Sequence, residues 1–457
     1  MVSNIGKRKL SVKTKLGYGV ADVGVQILLT GTGLYLLNFL TDVALLGAAL
    51  AGTALFISKV WDAVSDPLMG IISDRTKSRW GRRLPYLLFG AFPFGFSFFL
   101  VFTNPHITNQ TLLFLYAIVT YIFLCTVYTV VTIPYLSILP ELTKDFNEKT
   151  SIVGYKSIFT ILGALIAGGA LMPVVAIFKD KSTGYMVMGA IFGVLAALVT
   201  LVPFFTLKKL PVFETETEHF SIKDTLKLCF KNKPFLNILT SYLLVMFAVS
   251  IIMSMLIYYI IYWLEMPATY MTPVFLILMI TAAIFLPLWV KIGEKIGKKA
   301  AYILGMSFLI VGMIITFFVP QGKIYWLYAA VFIIGIGFST NYVFPHTILP
   351  DTIEYDELLT GKRREGIYYG MFQFIQKFGF ALGVFVSGWG IKIAGYIPNV
   401  PQSPKTLFGI KLLFGPISAS IVLAGLIVLL FYPITAEKYE EILSGVEKRK
   451  KSNNTTS

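Results

Sequence analysis

The stretch Lys59-Val60-Trp61-Asp62-Ala63-Val64-Ser65-Asp66-Pro67 places three charged residues inside an apolar run from about Leu46 to Ile72. A run of this length can cross a bilayer as a helix. Asp62 and Asp66 are four residues apart, so both carboxylates share a helix face with Lys59. Each buried charge costs about 2.5–3.5 kcal/mol. Two acids outnumber one local base, which predicts an ion or proton site. The alternative is a buried ion pair that only fixes helix packing.

The composition around this stretch is that of a membrane protein. The chain has 457 residues, of which 56% are hydrophobic and 14% charged, and its mean hydropathy is +0.75. Apolar runs of membrane-spanning length recur throughout, so we predict an all-α, polytopic membrane protein. The net charge of +15 does not indicate nucleic-acid binding, because the basic residues cluster in short loops, as the positive-inside rule expects.

Hydropathy predicts about twelve spans in two halves, with both termini and the central linker in the cytoplasm of a cell-membrane protein. The predicted domains are an N-terminal six-helix bundle (1–206), a cytoplasmic linker (207–233), a C-terminal six-helix bundle (234–433) and a basic tail (434–457). The predicted spans are 16–39, 46–72, 84–104, 110–138, 151–178, 184–206, 234–263, 270–292, 300–319, 323–350, 366–395 and 406–433.

A weak internal repeat supports this division. Gly81-Arg82-Arg83 follows the second span, and Gly297-Lys298-Lys299 follows the eighth. Each is a glycine turn with two cations, although a cytoplasmic loop could show this by chance. Its equivalent position in both halves favours duplicated six-helix bundles, which transporters use for alternating access.

Polar residues recur inside other spans. Asp22 and Gln26 share a face of the first span. In the fourth span, Pro134 follows Tyr128, Thr129 and Thr132. It frees backbone carbonyls that could bind a cation or a sugar hydroxyl, the alternative being a plain kink.

Two lysines also lie inside spans. Lys156 sits one turn inside the fifth span and could simply extend to the cytoplasm. Lys377 lies deep in the eleventh span, near Gln373 and Gln376, and is a natural partner for the unbalanced aspartates.

We find no arrangement that predicts an enzyme or a metal site. The three histidines are not spaced as metal ligands, and there is no nucleophile elbow and no phosphate-binding loop with lysine. We therefore expect no cofactor and no ATP-driven transport.

Several pieces together resemble the glycoside–pentoside–hexuronide:cation symporters, the melibiose-permease-like branch of the major facilitator superfamily. The resemblance covers nearly the whole chain. Its pieces are KLGYGVAD (15–22), LNFLTDV (37–43), VWDAVSDPLMG (60–70), DRTKSRWGRRLPYLLFG (74–90), TIPYLSILP (132–140), DTIEYDELLTGKRREG (351–366) and GYIPN (395–399).

This resemblance implies a major facilitator fold and sugar uptake driven by a cation gradient. It assigns the cation site to Asp62, Asp66, Thr129 and Lys377. It assigns the sugar site to Asp22, Gln26, Tyr128, Thr132, Lys156, Gln373 and Gln376, with Tyr342 as an aromatic wall. It assigns a cytoplasmic charge gate to Asp351, Glu354 and Arg363, which we expect to pair with the 141–149 loop when the cavity faces outward.

The chain departs from the melibiose permease at several of these positions. That protein has Asp at the positions of Gln26 and Thr132, Trp at Leu136 and Arg at Lys156. The lost carboxylates are those expected to hold a galactoside, so the pattern is closer to the glucuronide- and xyloside-carrying members. The sugar itself stays open.

For the coupling ion, the sequence favours H⁺ over Na⁺. A sodium site needs several oxygen ligands, and the family's third acid is here Thr132. An apolar helix and a neighbouring Asp62 both favour the protonated form of Asp66. The alternative is a Na⁺ site completed by carbonyls near Pro134.

The expected partners are a small sugar and the lipid bilayer, and we expect a monomer that does not bind nucleic acid. We expect a midplane cavity lined by spans one, two, four, five, eleven and parts of eight and ten. A lysolipid symporter of the same fold is the main rival, and Gln26, Gln373 and Gln376 argue against a lipid cavity. A membrane enzyme or receptor is the second rival.

Overall fold

The computed structural model describes residues 9–143, 145–208, 230–361 and 364–455. Twelve long helices and one terminal helix cover most of these residues. They are α1 Val12–Leu36, α2 Ala48–Arg75, α3 Leu84–Val101, α4 Gln110–Leu142, α5 Phe146–Ala176, α6 Lys181–Leu207, α7 Lys233–Trp263, α8 Met271–Ile296, α9 Lys298–Phe318, α10 Ile324–Thr360, α11 Glu365–Ile393, α12 Pro404–Leu430 and α13 Ala436–Thr455.

Eleven of the described helices are long and apolar enough to cross a membrane. The helix α2 has 28 residues but carries Lys59, Asp62 and Asp66, which lower its hydropathy. Its charges are neutralised inside the bundle, as described below, so it completes the set of twelve predicted spans.

Polar caps and a glycine fix several helix ends, and some helices extend beyond the predicted apolar runs. Asn109 accepts hydrogen bonds from the amides of Thr111 and Leu112 at the start of α4. Asp180 caps α6 in the same way. The helix α10 ends at Thr360 rather than near residue 350, and Gly361 terminates it in the left-handed conformation.

The packing of the helices repeats with an offset of six. Within the first half, α1 contacts α5 and α6, α2 contacts α4, and α3 contacts α4 and α6; the helices numbered six higher make the same contacts in the second half. The chain is therefore two pseudo-symmetric six-helix bundles. The predicted bundle boundaries remain predictions, since residues 209–229 of the linker lie outside the described residues.

The two glycine turns are part of this repeat. Gly81 and Gly297 have φ angles of +88° and +85°, which glycine adopts without strain. Arg82 then pairs with Glu141 at the end of α4, at 2.9 Å. Lys298 pairs with Asp351 in the equivalent helix α10, at 2.7 Å. We call the side of the bundle that carries these turns the basic face.

On the other side of the bundle, which we call the opposite face, α2 and α11 join the two halves. We call this contact between the halves the seam. A Cβ at Gly388 would lie 2.5 Å from the carbonyl oxygen of Ala48, so the backbones touch. The Trp389 indole donates a hydrogen bond to Thr53 at 3.1 Å. The helices α5 and α8 meet similarly, where Thr272 donates to the carbonyl of Gly169.

A buried carboxylate strengthens this seam. Asp42 accepts hydrogen bonds from the hydroxyls of Tyr262, at 2.6 Å, and Tyr396, and its carbonyl accepts one from the Asn399 amide at 2.7 Å. Burial, with Tyr258 and Asp42 nearby, raises the pKa of Tyr396, so its hydroxyl stays a donor. These three donors come from the second half, whereas the Thr41 hydroxyl, which also donates to Asp42, belongs to the first.

Because the backbones of α2 and α11 cross so closely at Gly388, we predict that a methyl group added there pushes the two helices apart. Gly388→Ala should raise the population open to the opposite face at least about fivefold, because overpacking costs about 1–3 kcal/mol. The measurement is the alkylation rate of Thr53→Cys, in a background without native cysteines, by an impermeant maleimide.

The matched control is Gly366→Ala on the same helix, where a Cβ has no neighbour within 4 Å. Equal alkylation rates in the two variants would show that the crossing does not hold the seam closed.

Candidate functional site

The charged face of α2 meets α4 and α11 in the middle of the bundle. Lys377 Nζ lies 3.2 Å from Asp62 Oδ1 and 2.5 Å from Asp66 Oδ2. Thr129 Oγ1 lies 3.1 Å from Asp62 Oδ1 and 2.9 Å from Asp66 Oδ1, so its one proton can serve either carboxylate. Ser65 is 3.1 Å from Thr129. The structure thus brings together all four residues predicted for the cation site.

The helical spacing explains why this cluster forms. Residues three and four apart share a face of α2, which points Asp62 and Asp66 the same way. Lys59 Nζ is 3.6 Å from Asp62 Oδ2 and 5.6 Å from the centre of the Tyr121 ring. Each carboxylate therefore faces an ammonium group, which offsets the cost of burying it.

One atom of the cluster remains without a hydrogen bond. Asp62 is 1% exposed, and its Oδ2 has no hydrogen-bond partner among the described residues. A buried oxygen without a donor is costly. A proton or a metal cation bound at this atom would remove the deficit.

A second charged pair joins α1 and α5. Asp22 is 2% exposed, and its Oδ1 lies 3.3 Å from Lys156 Nζ. The Thr160 hydroxyl donates to the other carboxylate oxygen. Lys156 thus faces Asp22 inside the bundle. Gly19 permits this approach, because a Cβ there would lie 3.1 Å from the Lys156 Cα.

A cavity of about 210 Å³ lies between the two halves. Gln26, Gln376 and Tyr342, predicted for the sugar site, line it. Of the remaining predicted residues, Tyr128 lies beside Lys377, with its ring centre 5.8 Å from the ammonium nitrogen. Thr132 is buried in α4.

The helices that line the cavity differ from the prediction. The helix α7 was not expected to contribute, but it provides Met246, Val249 and Met253, and α9 provides Leu309. The helices α2 and α4 hold the cation cluster beside the cavity and are not among its lining elements. The second-half lining is mostly apolar, apart from a few polar side chains such as Gln376, which the predicted glutamine-rich site did not suggest.

The predicted gate residues are only partly described. Asp351 accepts hydrogen bonds from Lys298, and Glu354 Oε2 is buried without a hydrogen-bond partner among the described residues. Arg363 lies outside the described residues. In the 141–149 loop region, Glu141 binds Arg82 and Glu148 binds Lys15 at 3.0 Å. These pairs each lie within one half.

The sequence reasoning missed the Asp42 network on the opposite face. The sequence did contain the residues of this network within stretches that carry the resemblance. Asp42 belongs to LNFLTDV (37–43), and Tyr396 and Asn399 belong to GYIPN (395–399). The sequence alone does not show that these two stretches, which are over 350 residues apart, lie in contact.

Comparison with known proteins agrees with this architecture. The model of the family "MFS/sugar transport protein" matches residues 17–436. An uncharacterized symporter of Synechocystis sp. is 30% identical, over 99% of this chain and 100% of that protein. The glucuronide carrier protein homolog of Escherichia coli is 28% identical, over 97% of each.

Solved structures share the fold at low identity. A bacterial homolog of the human lysosomal transporter Spinster, inward-facing and unoccupied, superimposes with a TM-score of 0.68 at 12% identity, over 95% of this chain and 97% of that one. The chain therefore belongs to the MFS/sugar transport protein family, as the motifs of the glycoside–pentoside–hexuronide:cation symporters predicted, and it is a multi-pass membrane transporter rather than an enzyme.

Proposed function

We propose that this protein is a symporter that uses a cation gradient, H⁺ in preference to Na⁺, to bring a glycoside, pentoside or hexuronide into the cell. The observation that carries the proposal is the contact of Lys377 with both Asp62 and Asp66. The relative named as a glucuronide carrier supports this class of cargo, and the relative named as a symporter supports coupled transport.

The position of Lys377 links the cation to the relative placement of the halves. Lys377 belongs to the second half, whereas both aspartates belong to the first, so this ion pair bridges them. A proton or Na⁺ that neutralises a carboxylate competes with Lys377 and weakens the bridge. Cation binding then changes the free-energy difference between the alternating-access states, which is the requirement for coupling.

The cargo would bind beside this cluster. Gln26 and Gln376 offer amide donors and acceptors to sugar hydroxyls from opposite sides of the cavity. Asp22, one helical turn from Gln26, and Lys156 on α5 offer charge-assisted hydrogen bonds. Tyr128 lies next to Lys377, so cargo and cation could affect the same groups.

The charge distribution supports one orientation of the protein in the membrane. The basic face carries Lys77, Arg79, Arg82 and Lys298, which the positive-inside rule assigns to the cytoplasm. Under this orientation both termini are cytoplasmic. The seam at Gly388 and Asp42 then closes the outside, and the described conformation is the one that releases cargo inward.

The donor set supports H⁺ as the coupling ion. Apart from the carboxylates, it offers the hydroxyls of Thr129 and Ser65, and Lys377 already occupies the space between the acids. A sodium ion needs several oxygen ligands in place of that ammonium group, whereas a proton needs only one carboxylate oxygen.

The first prediction concerns Lys377. Lys377→Ala should abolish gradient-driven accumulation, because buried carboxylates that lose their partner cost about 3–5 kcal/mol and hold a proton or cation permanently. The measurement is uptake of labelled glycosides into proteoliposomes, with insertion checked by protein content. Lys392→Ala, at the exposed end of the same helix, should accumulate cargo normally. Normal active transport by Lys377→Ala would refute the coupling role.

The second prediction concerns the ion. At fixed membrane potential, an inward pH gradient should drive accumulation and added Na⁺ should change little. Asp66→Asn should lose the response to pH, whereas Glu265→Gln, an exposed acid on the opposite face, should keep it. Sodium-dependent uptake that ignores the pH gradient would assign Na⁺ instead.

The third prediction concerns the gate. When the cavity faces outward, the segment of the chain that contains Asp351, Glu354 and Arg363 should approach the 141–149 loop through weak surface ion pairs. A short cross-linker between Glu354→Cys and Lys149→Cys should therefore trap the outward state and block inward release. The Glu354→Cys variant alone is the control. Release at the normal rate from cross-linked protein would exclude this gate.

A further inference from the structure

Aromatic and basic side chains meet at the edge of the basic face in the first half. Trp80, in the loop between α2 and α3, packs against Phe204 near the end of α6, with ring centres 5.6 Å apart. The guanidinium carbon of Arg79 lies 4.1 Å from the centre of the Trp80 ring. Lys208 follows α6, with its Nζ 5.7 Å from the centre of the Phe204 ring. We call these four residues, in which two cations flank a pair of packed rings, the interfacial cluster.

Exposed phenylalanines continue from this cluster along the membrane-spanning helices. Phe89 on α3 is 67% exposed, and its ring centre lies 6.1 Å from that of Trp80. Phe92 and Phe96 follow at helical spacing and are also exposed, as is Phe205 on α6. Within a membrane span, lipid acyl chains cover such side chains, whereas tryptophan and the heads of basic side chains lie at the membrane–water interface. The cluster therefore lies at the depth of the lipid headgroups.

The donors of the cluster are unused in the part of the chain that the structure describes. Neither Arg79 nor Lys208 forms an ion pair with a described carboxylate, and the Trp80 indole N–H donates no hydrogen bond to a described residue. A contact between a cation and an aromatic ring leaves the N–H groups of the cation able to donate to an anion. The cluster thus offers two positive charges and one neutral donor to a ligand.

The acids beside this loop already bind other arginines. Asp74 accepts a hydrogen bond from Arg83, and Glu141 accepts one from Arg82 at 2.9 Å and one from Arg83 at 3.1 Å. A zwitterionic headgroup carries an ammonium group that needs an acceptor, and these paired acids are poor acceptors for it. A headgroup with a net negative charge needs only donors, so the charges favour an anionic phospholipid.

We propose that the interfacial cluster binds an anionic phospholipid in the leaflet on the side of the basic face. Arg79 and Lys208 donate to its phosphate, and an acyl chain lies along Phe89 and Phe205. This ligand is a membrane lipid rather than cargo, so the inference does not depend on the proposed sugar or coupling ion. Because the cluster belongs entirely to the first half, the lipid stays with that half whichever way the cavity opens.

The test measures lipid contact at Trp80 in the full-length protein. Phospholipids brominated close to the headgroup quench the fluorescence of a tryptophan that they touch, and subtracting the signal of Trp80→Phe leaves the contribution of Trp80. The protein is reconstituted in mixtures of phosphatidylglycerol and phosphatidylcholine, with one of the two lipids brominated. We expect phosphatidylglycerol to bind at this tryptophan at least about fivefold more tightly, because two unpaired cations attract its net charge.

Matched variants test whether this preference arises at the cluster. The double variant Arg79→Gln, Lys208→Gln should lower the preference for phosphatidylglycerol at least about threefold. Lys13→Gln removes an exposed cation from the same half and the same face, and it should leave the preference unchanged. Because each value is a ratio of two lipids at one tryptophan, it does not depend on the amount of folded protein.

The outcomes separate a lipid site from its alternatives. Equal affinity for the two lipids, or a preference that the double variant retains, would overturn the proposal. An equal loss of preference in Lys13→Gln would show a diffuse attraction of the whole basic face and would also overturn it. Loss of the preference when inorganic phosphate is added at constant ionic strength would assign the cluster to a soluble anion instead.

Discussion

The fold depends on neutralising the charges that α2 carries into the bundle. Asp62 is almost fully buried, and isolated carboxylates in an apolar interior cost several kcal/mol. Lys59 is on the same helix, and the second ammonium group comes from Lys377 on α11. Because Lys377 belongs to the other half, the charges of α2 are balanced only when the two halves lie against each other.

The same constraint shapes the rest of the interior. Asp22 is balanced by Lys156, which crosses from α5 to α1, and small residues such as Gly19 and Gly163 let these helices approach. Asp42 is balanced by tyrosine hydroxyls from the second half rather than by a cation. These acids thus hold helices together by different means. The pairs within one half do not depend on how the two halves lie against each other, whereas those of Lys377 and Asp42 do.

The two faces of the bundle differ in the contacts that they make between the halves. At the opposite face, the backbones at Gly52 and Gly388 touch, and the Asp42 network joins the halves. At the basic face, Glu141 and Asp351 bind cations of their own half. Contacts concentrated at one end of the seam leave the other end able to separate, which is the geometry that alternating access requires.

The sequence alone determined the number of spans, the pseudo-symmetric pair of bundles and the shared face of Asp62 and Asp66, because hydropathy and helical periodicity are local properties. It also identified Lys377 as the missing partner, since a deeply buried ammonium group needs an anion. Only the tertiary structure decided that Lys156 faces Asp22, that Asp42 meets Tyr262 and Tyr396, and that α7 lines the cavity with methionines. These features depend on contacts between distant segments and on the direction in which each helix faces, which an apolar span does not reveal when nearly all its residues are hydrophobic.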